Sequence, residues 1–166
     1  MKSLLVMRHA KSDYPPSIAD DFDRPLSKRG RKDLTCMANL LASAVNPPDL
    51  ILSSSAVRAE RTAAALASAL KIEERKFFCE DLLYLATPSG LSAAVANLPD
   101  RANSALIVGH NPGLEEWISL LCGADLRLPT AGLAALSLEI TGWAQIHEAQ
   151  GQLRWFAIPR LLRHLR

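Results

Sequence analysis

The stretch SLLVMRHA, residues 3–10, is the part of the sequence that decides the fold. Its first five residues form a short, almost wholly apolar run, which has the length and character of a buried strand. The run ends at Arg8 and His9, two polar residues that the interior of a sheet rarely accommodates. The stretch therefore predicts a first strand that delivers an arginine and a histidine to one edge of a sheet.

Outward from this strand, short apolar runs alternate with longer segments of helical periodicity. Further strands are predicted over 50–53, 76–79 and 104–108, and a closing antiparallel pair over 133–140 and 153–158, around Thr141 and Gly142. Helices are predicted from Lys28 to Ser43 after the cap Ser27, from the cap Ser54 or Ser55 to Leu70, over 89–97, and from the cap Asn111 to Leu121. This alternation predicts a three-layer α/β/α sandwich with a mostly parallel central sheet, with 1–166 as a single domain.

Composition excludes several classes of protein before any motif is considered. With 49% hydrophobic residues among 166, the chain can bury a substantial core. Its 19 Lys and Arg against 17 Asp and Glu give a formal net charge of +2, too small to indicate a nucleic-acid partner. No apolar run reaches the roughly 18 residues of a membrane span. Three widely spaced cysteines without a CxxC pair fit a reducing compartment, so we expect a cytoplasmic protein with no membrane partner.

Polar clusters follow three of the predicted strands at the points where those strands end. The clusters are Arg8-His9, Ser53 to Arg58, and Gly109-His110-Asn111. Because ligands of open α/β sheets bind at the carboxyl ends of the strands, we expect these clusters to form one site.

The position of Arg58 indicates what this site binds. It falls in the first turn of a predicted helix, where the helix dipole disfavours a cation by roughly 0.3–1 kcal/mol. An arginine in that place is explained if it shares an anion with the helix N-terminus, most simply a phosphate. With Arg8, His9 and His110 nearby, the site is suited to a tetrahedral dianion between two guanidiniums and two imidazoles.

This set of residues favours phosphoryl transfer through histidine. A neutral imidazole nitrogen can attack phosphorus while the arginines neutralise the charge that develops on oxygen. The sequence has no HxH, HExxH or carboxylate cluster with metal-ligand spacing, so no metal or other cofactor is expected. It also has neither a GxxxxGK[ST] loop nor a CxxxxxR loop, which other phosphate chemistries use.

Three segments carry a resemblance to a known family. Arg8-His9-Ala10 resembles an RHG or RHA motif, residues 53–62 resemble a second motif, S-x-x-x-R-A-x-x-T, and residues 108–111 resemble a third. These are the motifs of the histidine phosphatase, or phosphoglycerate mutase-like, superfamily, and the match spans residues 1–140. The segments RHAKS, 24–27 and 109–112 are similar to those of the SixA-like phosphohistidine phosphatases.

The resemblance implies a role for each motif residue. His9 is the implied nucleophile, and Arg8, Arg58 and His110 are implied to bind and stabilise the transferring phosphoryl group. If His9 attacks as a neutral imidazole, its other ring nitrogen should donate to a backbone carbonyl, which fixes the tautomer. The further candidates for phosphate contacts are Ser12 and Asn111.

The sequence identifies a general acid less clearly than it identifies the nucleophile and the phosphate-binding residues. Larger members of the superfamily carry a Glu after the third strand that protonates the leaving group, and the corresponding region here contains Glu80 and Asp81. Asp81 is favoured over Glu80 because it adjoins Leu82 and Leu83. The sequence favours solvated loop carboxylates for both residues over a catalytic role.

These observations predict a phosphatase with a phosphohistidine enzyme intermediate. Its expected partner is a phosphorylated carrier or phosphotransfer protein of a phosphorelay or phosphotransferase system, because imidazole, with a pKa of about 6.5, leaves more easily than an alkoxide. The chain is also short for the helical insertions that cover the sites of larger relatives. The alternatives are a phosphomonoesterase acting on a small phosphate ester, such as a sugar phosphate or phosphoglycerate, and a non-catalytic phosphate-binding docking module.

Overall fold

The computed structural model of the protein describes residues 1–163, so the last three residues of the predicted domain lie outside the described residues. The strands are β1 (Lys2–Arg8), β2 (Leu50–Ser54), β3 (Phe77–Glu80), β4 (Ser104–Gly109), β5 (Leu133–Leu138) and β6 (Gly151–Ala157). The α-helices are α1 (Lys28–Ala44), α2 (Val57–Ala69), α3 (Pro88–Ala96), α4 (Gly113–Cys122) and α5 (Pro159–Arg163). Within this part of the chain, no helix is long and apolar enough to cross a membrane.

The six strands form one sheet in the order β3-β2-β4-β1-β5-β6. The pairs β3·β2, β2·β4 and β4·β1 are parallel, whereas β5 runs antiparallel to both β1 and β6. The predicted mostly parallel sheet is confirmed. In register, Arg8 lies opposite Gly109 and Ser53 lies opposite Val108, so the carboxyl ends of β1, β2 and β4 meet at one edge.

The core has two apolar halves, one on each face of the sheet. On one face, Leu4 and Val6 of β1 belong to the cluster that contains Trp117 of α4. On the other face, Met7 of β1 belongs to the cluster that contains Leu34 of α1, together with side chains of α2. Alternate side chains of a strand point to opposite faces, so β1 contributes to both halves and helices cover both sides. The structure therefore has the three layers predicted.

Two predicted helix caps are wrong, whereas Ser27 is confirmed as the cap of α1, its Oγ accepting from Gly30 N at 2.9 Å. Helix α2 begins at Val57 without a side-chain cap, because Ser54 is a buried strand residue whose hydroxyl faces His110. Helix α4 begins at Gly113 after Pro112, and the Asn111 side chain is bonded elsewhere. Both predicted caps belong instead to the polar edge of the sheet.

The closing antiparallel pair is confirmed, but its connection is longer than a tight turn at Thr141 and Gly142. Residues 143–148 form a 3-10 helix between β5 and β6. The fully buried Trp143 holds this segment in place, its indole Nε1 donating to Ala102 O at 2.8 Å and its backbone N to Asp100 Oδ1 at 2.9 Å. Because the Trp143 indole is buried in the core, the connection between β5 and β6 packs against the core.

Candidate active site

The three polar clusters meet in one cavity at the carboxyl edge of the parallel strands. The cavity has a volume of about 440 Å³. Six of the residues that the sequence identified lie on its wall, namely Arg8, His9, Ser12, Arg58, His110 and Asn111. The other residues of the wall are Lys11, Asp21, Arg24, Leu85 and Thr130. The wall therefore carries four arginine and lysine side chains against one carboxylate.

His9 is buried at the end of β1 and held in one tautomer. Its Nδ1 lies 2.8 Å from the carbonyl oxygen of Ala10, and because a carbonyl only accepts, Nδ1 carries the proton. The predicted contact with a backbone carbonyl is thus present. The other ring nitrogen, Nε2, keeps its lone pair and accepts a hydrogen bond from Arg58 Nε at 3.3 Å. The nucleophilic nitrogen consequently faces a guanidinium group at the cavity wall.

Burial keeps this imidazole neutral. The pKa of His9 is lowered to about 4: burial is the largest cause, the cations Arg58, Arg8 and Arg24 act in the same direction, and the hydrogen bond to Ala10 acts in the opposite one. Below that pKa the ring would be protonated and its lone pair lost. At neutral pH His9 is therefore in the form that can attack phosphorus.

Arg58 is 3% exposed and stands in the first turn of α2, as the sequence predicted. Besides Nε on His9, its Nη1 donates to the backbone oxygen of Asp21 at 2.5 Å and its Nη2 to the Asp21 carboxylate at 2.8 Å. A guanidinium fork is suited to two oxygens of one anion. Asp21 occupies that fork in this structure.

Asp21 is the charged residue at the centre of the site that the sequence analysis did not identify. It lies on the long polar loop before α1, where its Oδ1 accepts from Arg24 Nη1 at 2.9 Å and its Oδ2 from the Tyr84 hydroxyl at 2.7 Å. Partial burial acts to raise the pKa of Asp21, but the bonds from Arg24, Tyr84 and Arg58 outweigh it and hold the pKa well below its usual range. The loop contains four aspartates and no periodicity, so no sequence signal singled this one out.

His110 stands beside the nucleophile, its ring centre 5.1 Å from that of His9. Its Nδ1 lies 3.4 Å from Arg58 Nη2 and its Nε2 lies 2.9 Å from Ser54 Oγ. Burial lowers the pKa of His110 to about 3, with further contributions from His9 and Arg58, so this ring is also neutral. Because a guanidinium only donates, Nδ1 accepts from Arg58 in this structure and Nε2 donates to Ser54. A hydroxyl can also donate, so Ser54 supports the other tautomer, with an Nδ1 proton for a ligand, once Arg58 is bonded to that ligand instead.

Arg8 lines the cavity and is bonded through one nitrogen of its guanidinium group. Its Nη1 donates to Leu128 O at 3.1 Å, while its buried Nε has no hydrogen-bond partner among the described residues. Asn111 Nδ2 donates to the same carbonyl at 2.9 Å and to Glu115 Oε1 at 2.8 Å. Both amide protons of Asn111 are thus engaged within the protein, which gives this residue a role in fixing Leu128 and Arg8 and leaves it none to donate to phosphate.

The two predicted acid candidates are not brought into the cavity. Glu80 and Asp81 are both exposed, and Asp81 is hydrogen-bonded to the Ser55 hydroxyl. The reason is topological, since β3 is the edge strand and two strands, β2 and β4, separate it from β1 and His9. The carboxylate that does lie on the cavity wall is that of Asp21. Within residues 1–163, no group of three or more His, Cys, Asp and Glu side chains could hold a metal ion.

Comparison with known proteins agrees with this geometry. The family model for the histidine phosphatase superfamily (branch 1) matches residues 4–81, which include the first two motifs. An uncharacterized protein of Mycobacterium tuberculosis (strain H37Rv) is 32% identical over 168 residues, covering 93% of this chain and all of the relative. The structure assigned as the phosphohistidine phosphatase SixA of Agrobacterium tumefaciens is 29% identical, with a TM-score of 0.81 over 95% of this chain and 98% of the other.

A small-molecule phosphatase shares the fold at greater distance. The mycobacterial glucosyl-3-phosphoglycerate phosphatase is 17% identical, with a TM-score of 0.65 over 92% of this chain and 97% of the other, and this likeness concerns the fold alone. The motif residues, the sheet order and the family match agree with one another. The chain therefore belongs to the histidine phosphatase superfamily, and SixA proteins are among its structural neighbours.

Proposed function

We propose that the protein is a phosphohistidine phosphatase that acts through a phosphorylated His9. The observation that carries the proposal is the state of His9, which is buried, neutral and protonated on Nδ1, with Nε2 directed at Arg58. A nucleophile in this state needs no general base, because its lone pair is already available at neutral pH. The proposal supplies the substrate class that the family leaves open.

The first step is transfer of the phosphoryl group to His9. The incoming dianion displaces the Asp21 carboxylate from Arg58 and takes the free Nε proton of Arg8. With Arg58 bonded to the phosphoryl group and no longer to His110 Nδ1, His110 takes the Nδ1-protonated form and donates from that nitrogen, while the Ser54 hydroxyl donates to Nε2. As His9 Nε2 bonds to phosphorus, the bond from phosphorus to the substrate's imidazole nitrogen breaks, and the positive charge on the His9 ring is stabilised by the Nδ1 bond to Ala10 O. Water then attacks phosphorus, the bond to His9 Nε2 breaks, and inorganic phosphate leaves with the protons of the water while His9 returns to its neutral form.

The leaving group is the main argument for the substrate. An alkoxide needs a proton from the enzyme, but the one carboxylate on the described cavity wall, Asp21, is held ionised by its cationic neighbours. When the substrate is a phosphohistidine, the leaving group is its imidazole, whose conjugate acid has a pKa of about 6.5. The proton on the other nitrogen of that ring lets it leave as neutral imidazole without a proton from the enzyme. A cavity without a protonated acid is thus better suited to phosphohistidine than to an alkyl phosphate.

Access to the cavity also supports a protein substrate. The connection from β3 to α3 contains a 3-10 turn at 81–83 and a few further residues, and β4 passes into α4 within three residues. Neither connection is long enough to form a separate cover over the cavity. The wall residues Lys11 and Leu85 are exposed, so the mouth of the cavity is open to a macromolecule.

A phosphomonoesterase is the second candidate, and Asp21 favours it. When a phosphoryl group takes Arg58, Asp21 loses a cation that keeps it ionised, and its pKa rises. A carboxyl group that becomes protonated at that moment can serve as the acid for an alkoxide. Asp21→Asn separates the two functions, because it removes this acid and leaves His9 in place.

The test is phosphate release from a histidine-phosphorylated carrier protein and from a panel of alkyl and aryl phosphate monoesters, with EDTA present. The proposal predicts a higher kcat/KM for the phosphohistidine protein, and a loss of less than about threefold for Asp21→Asn on that substrate. A preference for alkyl monoesters that Asp21→Asn abolishes would establish the phosphomonoesterase instead. Binding of phosphate without turnover of any substrate would leave only a docking module.

A further inference from the structure

We propose that Glu115 is a positioning residue for phosphoryl transfer, which it serves by fixing the guanidinium group of Arg8 through the backbone of Leu128. Glu115 is not among the described residues of the cavity wall, so it acts on the phosphoryl group only through other residues. The inference rests on the proposed function, because it gives Glu115 a part in the binding of the same phosphoryl group.

Glu115 lies in the first turn of α4, and one of its carboxylate oxygens is bonded to the site. This oxygen, Oε1, accepts two hydrogen bonds, from Leu128 N at 2.7 Å and from Asn111 Nδ2 at 2.8 Å. The other oxygen, Oε2, lies 3.5 Å from Arg127 Nη1, but the Arg127 side chain is 92% exposed. Since exposed ion pairs of this kind contribute little, the two bonds to Oε1 define what Glu115 does.

The backbone of Leu128 is held at both of its polar groups. Its N–H donates to Glu115, and its carbonyl oxygen accepts from Asn111 Nδ2 at 2.9 Å and from Arg8 Nη1 at 3.1 Å. Leu128 lies in the connection between α4 and β5, outside the helices and strands. Because no ladder or helical bond places its carbonyl group, the bonds from Glu115 and Asn111 set the position of the oxygen to which Arg8 is bonded.

Arg8 depends on this support more than the other arginine of the site does. Arg58 is bonded through three nitrogens, to His9 and Asp21, whereas the described residues offer the Arg8 guanidinium group a single acceptor, Leu128 O. Burial lowers the pKa of Arg8, and the Glu115 carboxylate acts in the opposite direction, so it favours the charged guanidinium. The buried Nε of Arg8, which has no partner within residues 1–163, is the donor that the proposed mechanism gives to the phosphoryl group.

The positioning role and the charge of Glu115 should affect anion binding in opposite directions. A carboxylate near a phosphate site repels the anion, so loss of its charge alone would tighten the binding. Loss of a group that positions Arg8 would weaken it, because the guanidinium would no longer match the oxygens of the phosphoryl group. Glu115 thus differs from Asp21, which occupies Arg58 directly and competes with the anion.

The experiment measures oxyanion binding and turnover in the same variants. Glu115→Ala removes both hydrogen bonds, whereas Glu115→Gln keeps an amide oxygen that can accept them. Glu116→Ala is the matched control, because Glu116 is an exposed glutamate of the same helical turn and its side chain has no hydrogen bond or ion pair in the described part of the chain. Calorimetry with inorganic phosphate gives Kd, phosphate release from a histidine-phosphorylated carrier protein gives kcat/KM, and circular dichroism verifies the fold.

Glu115→Ala is expected to weaken phosphate binding and to lower kcat/KM by about 10- to 100-fold each, because the donor that meets the phosphoryl group is misplaced. Glu115→Gln should lose less than about threefold, since it keeps the acceptor. Glu116→Ala should be unchanged in both measurements. If Glu115→Ala does not fold, Glu115→Asp replaces it, because aspartate keeps the charge but withdraws the oxygen by one methylene group and should be impaired in the same direction.

A double-mutant cycle with Arg8 separates positioning from a general structural effect. In an Arg8→Ala background, Glu115→Ala should cost less than about twofold more, since the group that it positions is gone. Equal losses with and without Arg8, tighter phosphate binding by Glu115→Ala, or a Glu115→Gln variant as impaired as Glu115→Ala would overturn the inference.

The proposed function fails in a different measurement. A wild-type protein that binds inorganic phosphate but does not hydrolyse the phosphohistidine protein would overturn the phosphohistidine phosphatase. The Kd values of the Glu115 variants and of the cycle with Arg8 would still decide the positioning role.

Discussion

Two cavities are lined by neighbouring residues of the loop before α1 and of α2, and the larger one contains none of the motif residues Arg8, His9, Arg58 and His110. A groove of about 680 Å³ runs between α1 and α2, whereas the cavity that contains His9 measures about 440 Å³. The apolar side chains of the groove include Leu26, Leu34, Ala38, Val57 and Ala65. Its two arginines, Arg31 and Arg61, are exposed. Chemistry is therefore located by buried, converging polar groups rather than by the volume of a cavity.

Helix α2 contains both kinds of surface. Arg58 is buried, bonded to His9 and Asp21, and lines the smaller cavity, while Arg61, one turn later, is exposed and lines the groove. The two arginines share a helix and a charge but differ in burial and partners. This pair makes the comparison between the cavities testable with matched substitutions.

The largest effect is expected from His9→Ala, which removes the nucleophile. Turnover of every phosphorylated substrate should fall by about 10³-fold or more, because water cannot replace a covalent intermediate at that rate. The matched change in the groove, Leu34→Ala, should cost about 2–5 kcal/mol of unfolding free energy and leave turnover per folded molecule intact. Phosphate release measures turnover, and denaturant unfolding measures the free energy of unfolding. Wild-type turnover in His9→Ala would contradict a mechanism that passes through phosphorylated His9.

The two arginines of α2 should differ by orders of magnitude. Arg58→Gln removes a charged donor aimed at the phosphoryl group and should lower kcat/KM by about 10²–10³-fold, as does loss of a single oxyanion donor in other enzymes. Arg61→Gln is a surface change and should alter kcat/KM by less than about twofold. Steady-state kinetics on one substrate is sufficient. Similar losses in the two variants would mean that the groove also binds substrate.

The pKa of His9 should depend on Arg58, which is buried beside it, and not on Arg61, which is exposed. Burial and, to a smaller extent, the charge of Arg58 lower its pKa to about 4, so the ring is neutral and active at pH 6 and loses its lone pair as the pH falls through 4. Arg58→Gln should raise the pKa of His9 above about 4 but leave it below about 6.5, because burial is the larger cause and remains, while Arg61→Gln should not change it. A titration followed by long-range ¹H–¹⁵N spectra of the imidazole gives both values. A wild-type pKa near 6.5 would contradict the account.

The smallest effect is expected from Asp21→Asn. The Asp21 carboxylate competes with an anionic ligand for Arg58, so its neutralisation should tighten the binding of tungstate or inorganic phosphate by about three- to tenfold. Isothermal calorimetry with each oxyanion measures the change. Weaker binding by Asp21→Asn would show that Asp21 positions Arg58 and does not compete for it. Arg61→Gln again serves as the control.

The sequence predicted the strand-end residues well because their positions depend on local pattern. Arg8 and His9 end an apolar run, and parallel strands bring such ends to one edge wherever they stand in the chain. Glu80 and Asp81 were misplaced because chain order does not reveal that β3 is an edge strand. Asp21 could not be predicted, since its place depends on the path of a loop without periodicity and on Arg58, which lies far along the chain.

Ser54 shows the same limit at short range. A serine before a helix predicts a cap, and the residue is indeed close to the start of α2. Its hydroxyl nonetheless pairs with His110, which comes from β4 through the parallel pairing of β2 with that strand. Local propensity thus predicted that a helix starts close to Ser54, while the tertiary fold determined which group its hydroxyl bonds to.

The central claim is that turnover passes through a phosphoryl group on His9, and trapping that intermediate tests it most directly. Wild-type enzyme and the His9→Ala and Arg61→Gln variants would be mixed with a ³²P-labelled substrate, quenched in alkali and mapped by peptide mass spectrometry. The account predicts an alkali-stable, acid-labile phosphoryl group on His9 in the wild type and in Arg61→Gln, and none in His9→Ala. Substrate hydrolysis with no label on His9, or with the label on another residue, would contradict it.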